Sequence, residues 1–191
     1  MIYSLAGTLA AKKQNFFVVD VGAISFKIFG SPNTLVVLPE IGKDIKIFTY
    51  LNVREDALEL YGFISERELE LFEKLNSVSG IGPKSALGIL GISKIEQLIA
   101  AINEGRTELL TRASGIGKKT AERVILELKG KLSAIASPQM LSLMESDLDI
   151  EETLISLGYT RVQAKAALAK IDPKITGFKE RLKEAIKRAK V

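Results

Sequence analysis

The sequence predicts an α+β protein of three domains, a small β-barrel followed by two all-helical units. Three observations predict it. Residues 1–62 read as short strands broken by turn residues, residues 63–131 contain the same helix-turn-helix unit twice, and residues 145–191 read as three short helices. Between the last two lies LSAIASPQMLSLM (132–144), which carries no charge and one proline and is expected to be a flexible linker.

In the first segment, TLAAKKQNFFVVDV, GAISFKIFG, KDIKIFTYLNV and ALELYGF are rich in Val, Ile, Phe, Thr and Tyr, and Gly22, Gly30, Pro32, Asn33, Pro39 and Gly42 punctuate them. Five or six short strands in about sixty residues are too few for a large sandwich but enough to close a small barrel of the OB type. After Gly62 the period changes. SERELELFEKLNSV sets Leu69, Phe72, Leu75 and Val78 on one helical face, and Ser65 with Glu68 makes a capping-box start. KSALGILGI, KIEQLIAAINEG, TELLTRA and KKTAERVILELKGKL follow as helices. In the third segment, ESDLDIEETLISLG, TRVQAKAALAKI and GFKERLKEAIKRAK suggest a three-helix bundle. Gly158 ends its first helix, and Pro173 with Gly177 separates the other two.

Composition narrows the function. There is no cysteine and no histidine, which removes disulfides, thiolate chemistry, the usual zinc sites and any His-based triad or general base. The net charge of +4 permits a polyanionic partner without specifying one. No apolar run approaches the roughly 18–20 residues of a membrane span, and MIYSLAGTL has no basic flank of the secretory kind. A cytoplasmic protein is expected, with no cofactor, no metal and no catalytic residue.

The repeat carries the chemistry. LNSVSGIGPKSALGIL (75–90) aligns with LTRASGIGKKTAERVI (110–125), so SGIGPKSA and SGIGKKTA occupy equivalent places. In each, the first glycine (Gly80, Gly115) permits a left-handed backbone, and the second (Gly82, Gly117) lets another backbone come close. Ile81 and Ile116 should point inward as apolar plugs. The helix that follows opens with free N–H groups at the positive end of its dipole, an anion site whose commonest occupant is phosphate. Pro83 suits the first turn of such a helix. Lys84, Lys118 and Lys119 stand beside the mouth, and Arg123, one turn beyond Lys119, could reach the same side. This is the helix-hairpin-helix motif, which grips nucleic-acid backbone without reading bases. Two copies can straddle a minor groove, one strand each. GIGKKT superficially resembles a nucleotide-binding P-loop, but that motif needs Gly where Arg112 stands and Ser or Thr where Lys119 stands.

NVREDALELYGF (52–63), closing a β-domain and followed by two such hairpins, resembles the RuvA family of bacterial Holliday junction-binding proteins, which work with the RuvB motor. MIYSLAGTL, GIGKKTAERVILELKGK and LGYTRVQAKAAL extend the similarity over essentially the whole chain, while DVGAISFKI departs from the family's more glycine-rich V-G-G-x-G-Y turn. The resemblance implies a homotetramer, one or two on an open four-way junction, with the barrels at its centre and the paired hairpins on the arms. It implies that the third domain recruits the RuvB ATPase, with the RuvC resolvase as a further possible partner, in recombination and DNA repair. On residue identity alone, Glu55 and Asp56 read as a solvated loop between strands. The resemblance makes them an acidic pin, four copies of which would gather at the junction centre and repel phosphates there. Arg54 beside them could hold a DNA backbone or pair with Glu55 or Asp56. In the third domain Leu157, Tyr159, Ala166 and Leu168 are candidates for a partner surface, and KERLKEAIKRAK reads as a solvated helix face. The alternative from another class is a helix-hairpin-helix nuclease or repair subunit that cleaves branched DNA.

Overall fold

The computed structural model describes residues 2–132, 138–172 and 175–189. Strands β1 (Ser4–Lys12), β2 (Phe16–Val21), β3 (Ile24–Gly30), β4 (Asp44–Val53) and β5 (Leu58–Phe63) close a barrel in the order β1-β2-β3-β5-β4. Every pairing is antiparallel except β3 with β5, where Ile28 faces Leu60 and Gly30 faces Gly62. Strand alternation turns Leu5, Leu9, Phe17, Val19, Ile28, Ile47 and Leu60 into the barrel core. The divergent segment DVGAISFKI forms a regular hairpin, Val21 paired with Ile24 across Gly22 and Ala23.

Between β3 and β4 runs a helix absent from the sequence reading, α1 (Pro32–Val37). Pro32 and Asn33 read as turn residues, but Ser31 and Pro32 also make a helix start. The Ser31 hydroxyl accepts a hydrogen bond from the Thr34 N–H at 3.0 Å, and proline occupies the first turn, where its missing donor is harmless.

Helices α2 (Glu66–Asn76), α3 (Pro83–Leu90), α4 (Ile95–Glu104), α5 (Thr107–Leu110) and α6 (Lys118–Leu128) build the central region. Ser65 caps α2 by accepting from the Glu68 N–H, and the Glu68 carboxylate accepts from Ile64 N at 2.8 Å, so the reciprocal bond closes one residue before the cap. Leu69, Phe72, Leu75 and Val78 are buried on the face their spacing predicts. The barrel and the helices share this core. Phe72 packs against Tyr50, Phe63 and Tyr61, with ring centroids 5.2, 4.8 and 5.6 Å away, and contacts of that kind leave little play between the two regions.

The last helices are α7 (Pro138–Ser156), α8 (Arg161–Ala169) and α9 (Phe178–Ala189). Helix α7 begins inside the stretch expected to be a linker, and residues 133–137 of that stretch lie outside the described residues. Burial accounts for the added length. Met144 and Leu148 enter the central core, while Ile150 and Leu154 of the same helix enter the core of the C-terminal bundle. Pro173, expected to separate the last two helices, also lies outside the described residues. Gly158 ends α7, and Thr160 with Gln163 caps α8.

Charged groups line the seam around α7. The Lys165 ammonium lies 3.0 Å from Glu151 and donates to the Ile92 carbonyl at 3.3 Å, and burial pushes its pKa down. Arg181 is 5% exposed and donates to Asp147 and to the Ile175 carbonyl, so the expected solvated face of α9 is solvated only in part. Among the described residues no single helix is long and apolar enough to cross a membrane.

Candidate nucleic-acid interface

The two Gly-Ile-Gly turns have the same geometry. In the first, Val78 N donates to Leu75 O and Ile81 N to Val78 O. In the second, Ala113 N donates to Leu110 O and Ile116 N to Ala113 O, and all four bonds measure 3.0–3.1 Å. Gly80 and Gly115 have φ of +87° and +79°, the left-handed backbone that L-residues avoid. Ile81 and Ile116 are each 5% exposed and plug their hairpins into the core.

The second glycines, expected to let another backbone come close, have no such neighbour within the described residues. Gly82 and Gly117 cap α3 and α6 with φ of −94° and −85°, values open to any residue. A Cβ placed on either would meet nothing within 4 Å. Nothing in the chain requires glycine there, and the space its missing side chain leaves faces outward.

The helices that start at these glycines are built against their own dipoles. Neither α3 nor α6 has a side-chain cap, and neither carries an acidic residue in its first turn. Lys84 stands in the first turn of α3, and Lys118 and Lys119 open α6. Cations at a helix N-terminus are unfavourable unless an anion joins them. All three lysines are exposed and have no ion-pair partner among the described residues, whereas Arg54, Arg67, Arg106, Arg112, Arg161 and Arg181 are all paired. Free N–H donors, an open approach and unneutralised lysines, one at the first hairpin and two at the second, make an anion cradle at each.

Arg123 is placed differently. Its Nη1 donates to the Ser79 carbonyl at 3.1 Å and to the Ser79 hydroxyl at 3.2 Å, in the other repeat. Sequence spacing puts it on the Lys119 side of α6 but cannot show the neighbouring hairpin. The role of another cation is equally hidden in the sequence. Arg112 pairs with Asp149 at 3.1 Å and Glu152 at 3.6 Å, tying the second hairpin to α7.

On the barrel, β4 and β5 are joined by a tight turn. Arg54 N donates to Ala57 O at 2.9 Å and Ala57 N returns to Arg54 O at 3.4 Å, which leaves Glu55 and Asp56 alone at the exposed tip. Arg54 pairs with neither. Its Nη2 donates to the Glu59 carboxylate at 2.6 Å, as do the Tyr61 hydroxyl at 2.9 Å and Asn52 Nδ2 at 3.4 Å. These donors, Arg54 foremost, hold the Glu59 carboxyl below its usual range, and burial with the Glu59 contact pushes the Tyr61 phenol up. Arg54 is spent across the turn on β5, and the tip carboxylates form no ion pair within 4 Å among the described residues.

In the C-terminal bundle, Tyr159 and Leu168 pack against its core, while Leu157 is 59% exposed alongside Val162 and Phe178 among its exposed large apolar residues.

A five-stranded barrel fused through one core to paired helix-hairpin-helix turns, each with an open anion cradle, defines a class of backbone-gripping nucleic-acid proteins. Comparison with known proteins narrows the class. Residues 1–62 match the RuvA N-terminal domain, 72–131 the SAM-like helix-hairpin-helix tandem, and 149–189 the RuvA C-terminal domain. The Holliday junction branch migration complex subunit RuvA of Caldanaerobacter subterraneus is 44% identical over 189 residues, 98% of each chain. Those of Dehalococcoides mccartyi, at 40% over 97% of each chain, and Clostridium perfringens, at 38% over 96%, are also similar. The chain belongs to the RuvA family.

Proposed function

We propose that this protein binds four-way junction DNA by its backbone, holds it open, and presents it to an ATP-driven motor for branch migration in recombination and repair. The observation that carries the reading is the pair Gly82 and Gly117, glycines that the chain's own packing does not require, each at the uncapped N-terminus of a helix that begins with lysine in its first turn. A DNA phosphate fits that cradle. It accepts the free N–H groups, is neutralised by Lys84 or by Lys118 and Lys119, and needs the Cβ space left empty. The left-handed glycines, Gly80 and Gly115, set the turn that aims those groups outward. None of these contacts touches a base edge, so the grip is indifferent to sequence.

Selectivity for a junction then comes from arranging several such grips around one point. In a homotetramer with the barrels central, or two stacked on the DNA, each protomer's hairpins would hold an arm. Glu55 and Asp56 would gather at the crossover as an acidic pin, repelling phosphates within about 10 Å and helping exchanging strands to part. The C-terminal bundle would engage the RuvB ATPase, which supplies the hydrolysis, and the RuvC resolvase could act on the same complex. This chain would itself be non-catalytic and cytoplasmic. The nuclease alternative finds no support among the relatives, which are named as branch migration complex subunits.

Competition binding of a labelled synthetic four-way junction against linear duplex of the same arm sequences tests the reading, with light scattering on the same samples. Strong preference for the junction by a multimer is expected. A monomer with equal affinity for both DNAs refutes it.

A further inference from the structure

The repeat has an offset of thirty-five residues, so each position in one hairpin unit has a counterpart in the other. Ser79 corresponds to Ser114, and Gly88 on α3 corresponds to Arg123 on α6. The two units lean on each other reciprocally. Arg123 donates twice to Ser79, while on the other side a Cβ built on Gly88 would stand 3.7 Å from the Ser114 carbonyl oxygen. Each hairpin is therefore faced by the equivalent helix position of the opposite repeat. One of those positions is a guanidinium that bonds the hairpin carbonyl, and the other is a glycine that leaves the carbonyl without any side-chain donor among the described residues.

We infer that Arg123 is a positioning residue: it braces the first hairpin from the second repeat, fixing the Ser79 carbonyl so that the amides of Gly80, Gly82 and Lys84 hold their outward aim, and it leaves the second hairpin the more adaptable of the two. The inference rests on the proposed backbone grip for its consequence in DNA binding, but the brace itself is a property of the free protein. Geometry supports a brace over a phosphate ligand. Both donations leave the same nitrogen, Nη1, and a side chain committed to a carbonyl 44 residues away is not a mobile charge of the kind Lys84 and Lys119 present. The two hydrogens of Nη1 serve the carbonyl and the hydroxyl together, and the planar guanidinium fixes their direction more than a freely rotating ammonium would.

Two measurements separate the possibilities. The first is amide hydrogen exchange of the free, full-length protein. With Arg123→Ala, exchange of the Ile81 amide, which is bonded to the Val78 carbonyl, should rise about three- to tenfold, the loss expected for a modest surface hydrogen-bond pair, while the equivalent Ile116 amide stays as in the wild type. Arg123→Lys should recover part of the protection, and Gly88→Arg should slow exchange of the Ile116 amide by installing the missing donor. The second is the salt dependence of junction binding. A cation that neutralises phosphate contributes about 0.9 to the slope of log K against log salt for each contact, so Lys84→Ala should flatten the slope. Arg123→Ala should weaken binding about three- to tenfold with the slope unchanged, because it loosens neutral amides and removes no counterion-releasing contact. Unaltered exchange at Ile81 together with a flattened slope overturns the inference and makes Arg123 an ordinary phosphate ligand. If the wild type itself ignores junction DNA, the function proposed above fails, while the exchange result still decides the brace.

Discussion

The two kinds of glycine in each hairpin predict opposite outcomes when they are replaced. Consider Gly82→Val and Gly117→Val. Both positions have extended backbone that valine favours, and the new side chain enters open space, so no clash enters the folding balance. At an N-cap, an apolar residue is worse than glycine by about 0.5–1 kcal/mol, while removing glycine's freedom in the unfolded chain returns about 0.4–1 kcal/mol. These nearly cancel, and the melting temperature should move by no more than about 2 °C. Gly80→Ala and Gly115→Ala, at φ of +87° and +79°, place a Cβ in left-handed backbone instead. That costs about 1–2 kcal/mol and should lower the melting temperature by about 2–8 °C.

Junction affinity should divide the variants the other way. A valine at 82 or 117 occupies the approach to the first amides of α3 or α6. One blocked hydrogen bond to a charged phosphate is worth about 1.5–3 kcal/mol, or roughly tenfold to a hundredfold in affinity. Thermal melts of the free protein and anisotropy titrations of a labelled four-way junction, repeated with scrambled arm sequences, measure both halves. Weakened binding that is the same for every arm sequence, in a protein of normal stability, is expected. Valine variants that bind like the wild type would sink the reasoning, as would a melting temperature lowered as far as in the left-handed set. Either result would mean that these glycines serve the fold and not an external backbone.

Two further outcomes follow from the barrel. The double variant Glu55→Lys with Asp56→Lys should preserve or tighten junction binding while slowing or misdirecting motor-driven branch migration, read by strand-exchange gels; simple loss of affinity would exclude a pin. Glu59→Gln tests the network beneath the tip. Because Arg54 and Tyr61 hold the Glu59 carboxyl below its unfolded value, its contribution is present at neutral pH and lost as pH falls through the folded pKa. The variant should therefore melt below the wild type at pH 7, with the gap closing as pH drops below the ordinary glutamate value of about 4.3. A gap that persists at low pH would show that the carboxylate charge is not responsible.

The parts of this architecture legible in the sequence are those whose physics is local. The glycine spacing of each hairpin, the inward Ile81 and Ile116 and the Ser65 cap all follow from a few neighbouring residues, and the repeat shows the hairpin chemistry twice. What stays hidden depends on partners distant in the chain or across a turn. Arg54 reads as free to meet Glu55, Asp56 or DNA, but the tight β4–β5 turn brings Glu59 within 2.6 Å of it. Arg123 shares a helix side with Lys119, yet a hairpin 44 residues upstream decides its bond. Helix α7 starts early, and Met144 of the uncharged stretch finds burial beside Leu148 in a core that the sequence around it does not reveal. Arg181 reads as a solvated charge until Asp147 is seen against it, and nothing near Lys165 in the sequence shows that it is buried against Glu151.

The same contrast bears on where function lies. Much of the chain is locally consistent: Ser31, Ser65 and Thr160 cap their helices, the apolar faces of the cores are buried, and most arginines have carboxylate partners. Two groups of charges are arranged otherwise, and they are of opposite sign. Three lysines sit unpaired at the positive ends of α3 and α6, and two carboxylates sit unpaired at the tip of a tight turn, among the described residues. Cations at a helix N-terminus are unfavourable in the free protein, and a polyanion held at the hairpins and kept away from the tip, as proposed, would relieve that without adding repulsion. The shared Phe72 core holds the two features in one frame, so backbone gripped at one is carried at a set distance from the other. If the hairpins hold the arms and the tips meet at the centre as proposed, attraction and repulsion fixed rigidly to each other would favour a branched substrate over a continuous duplex, whose phosphates would have to run unbroken past the acidic tip.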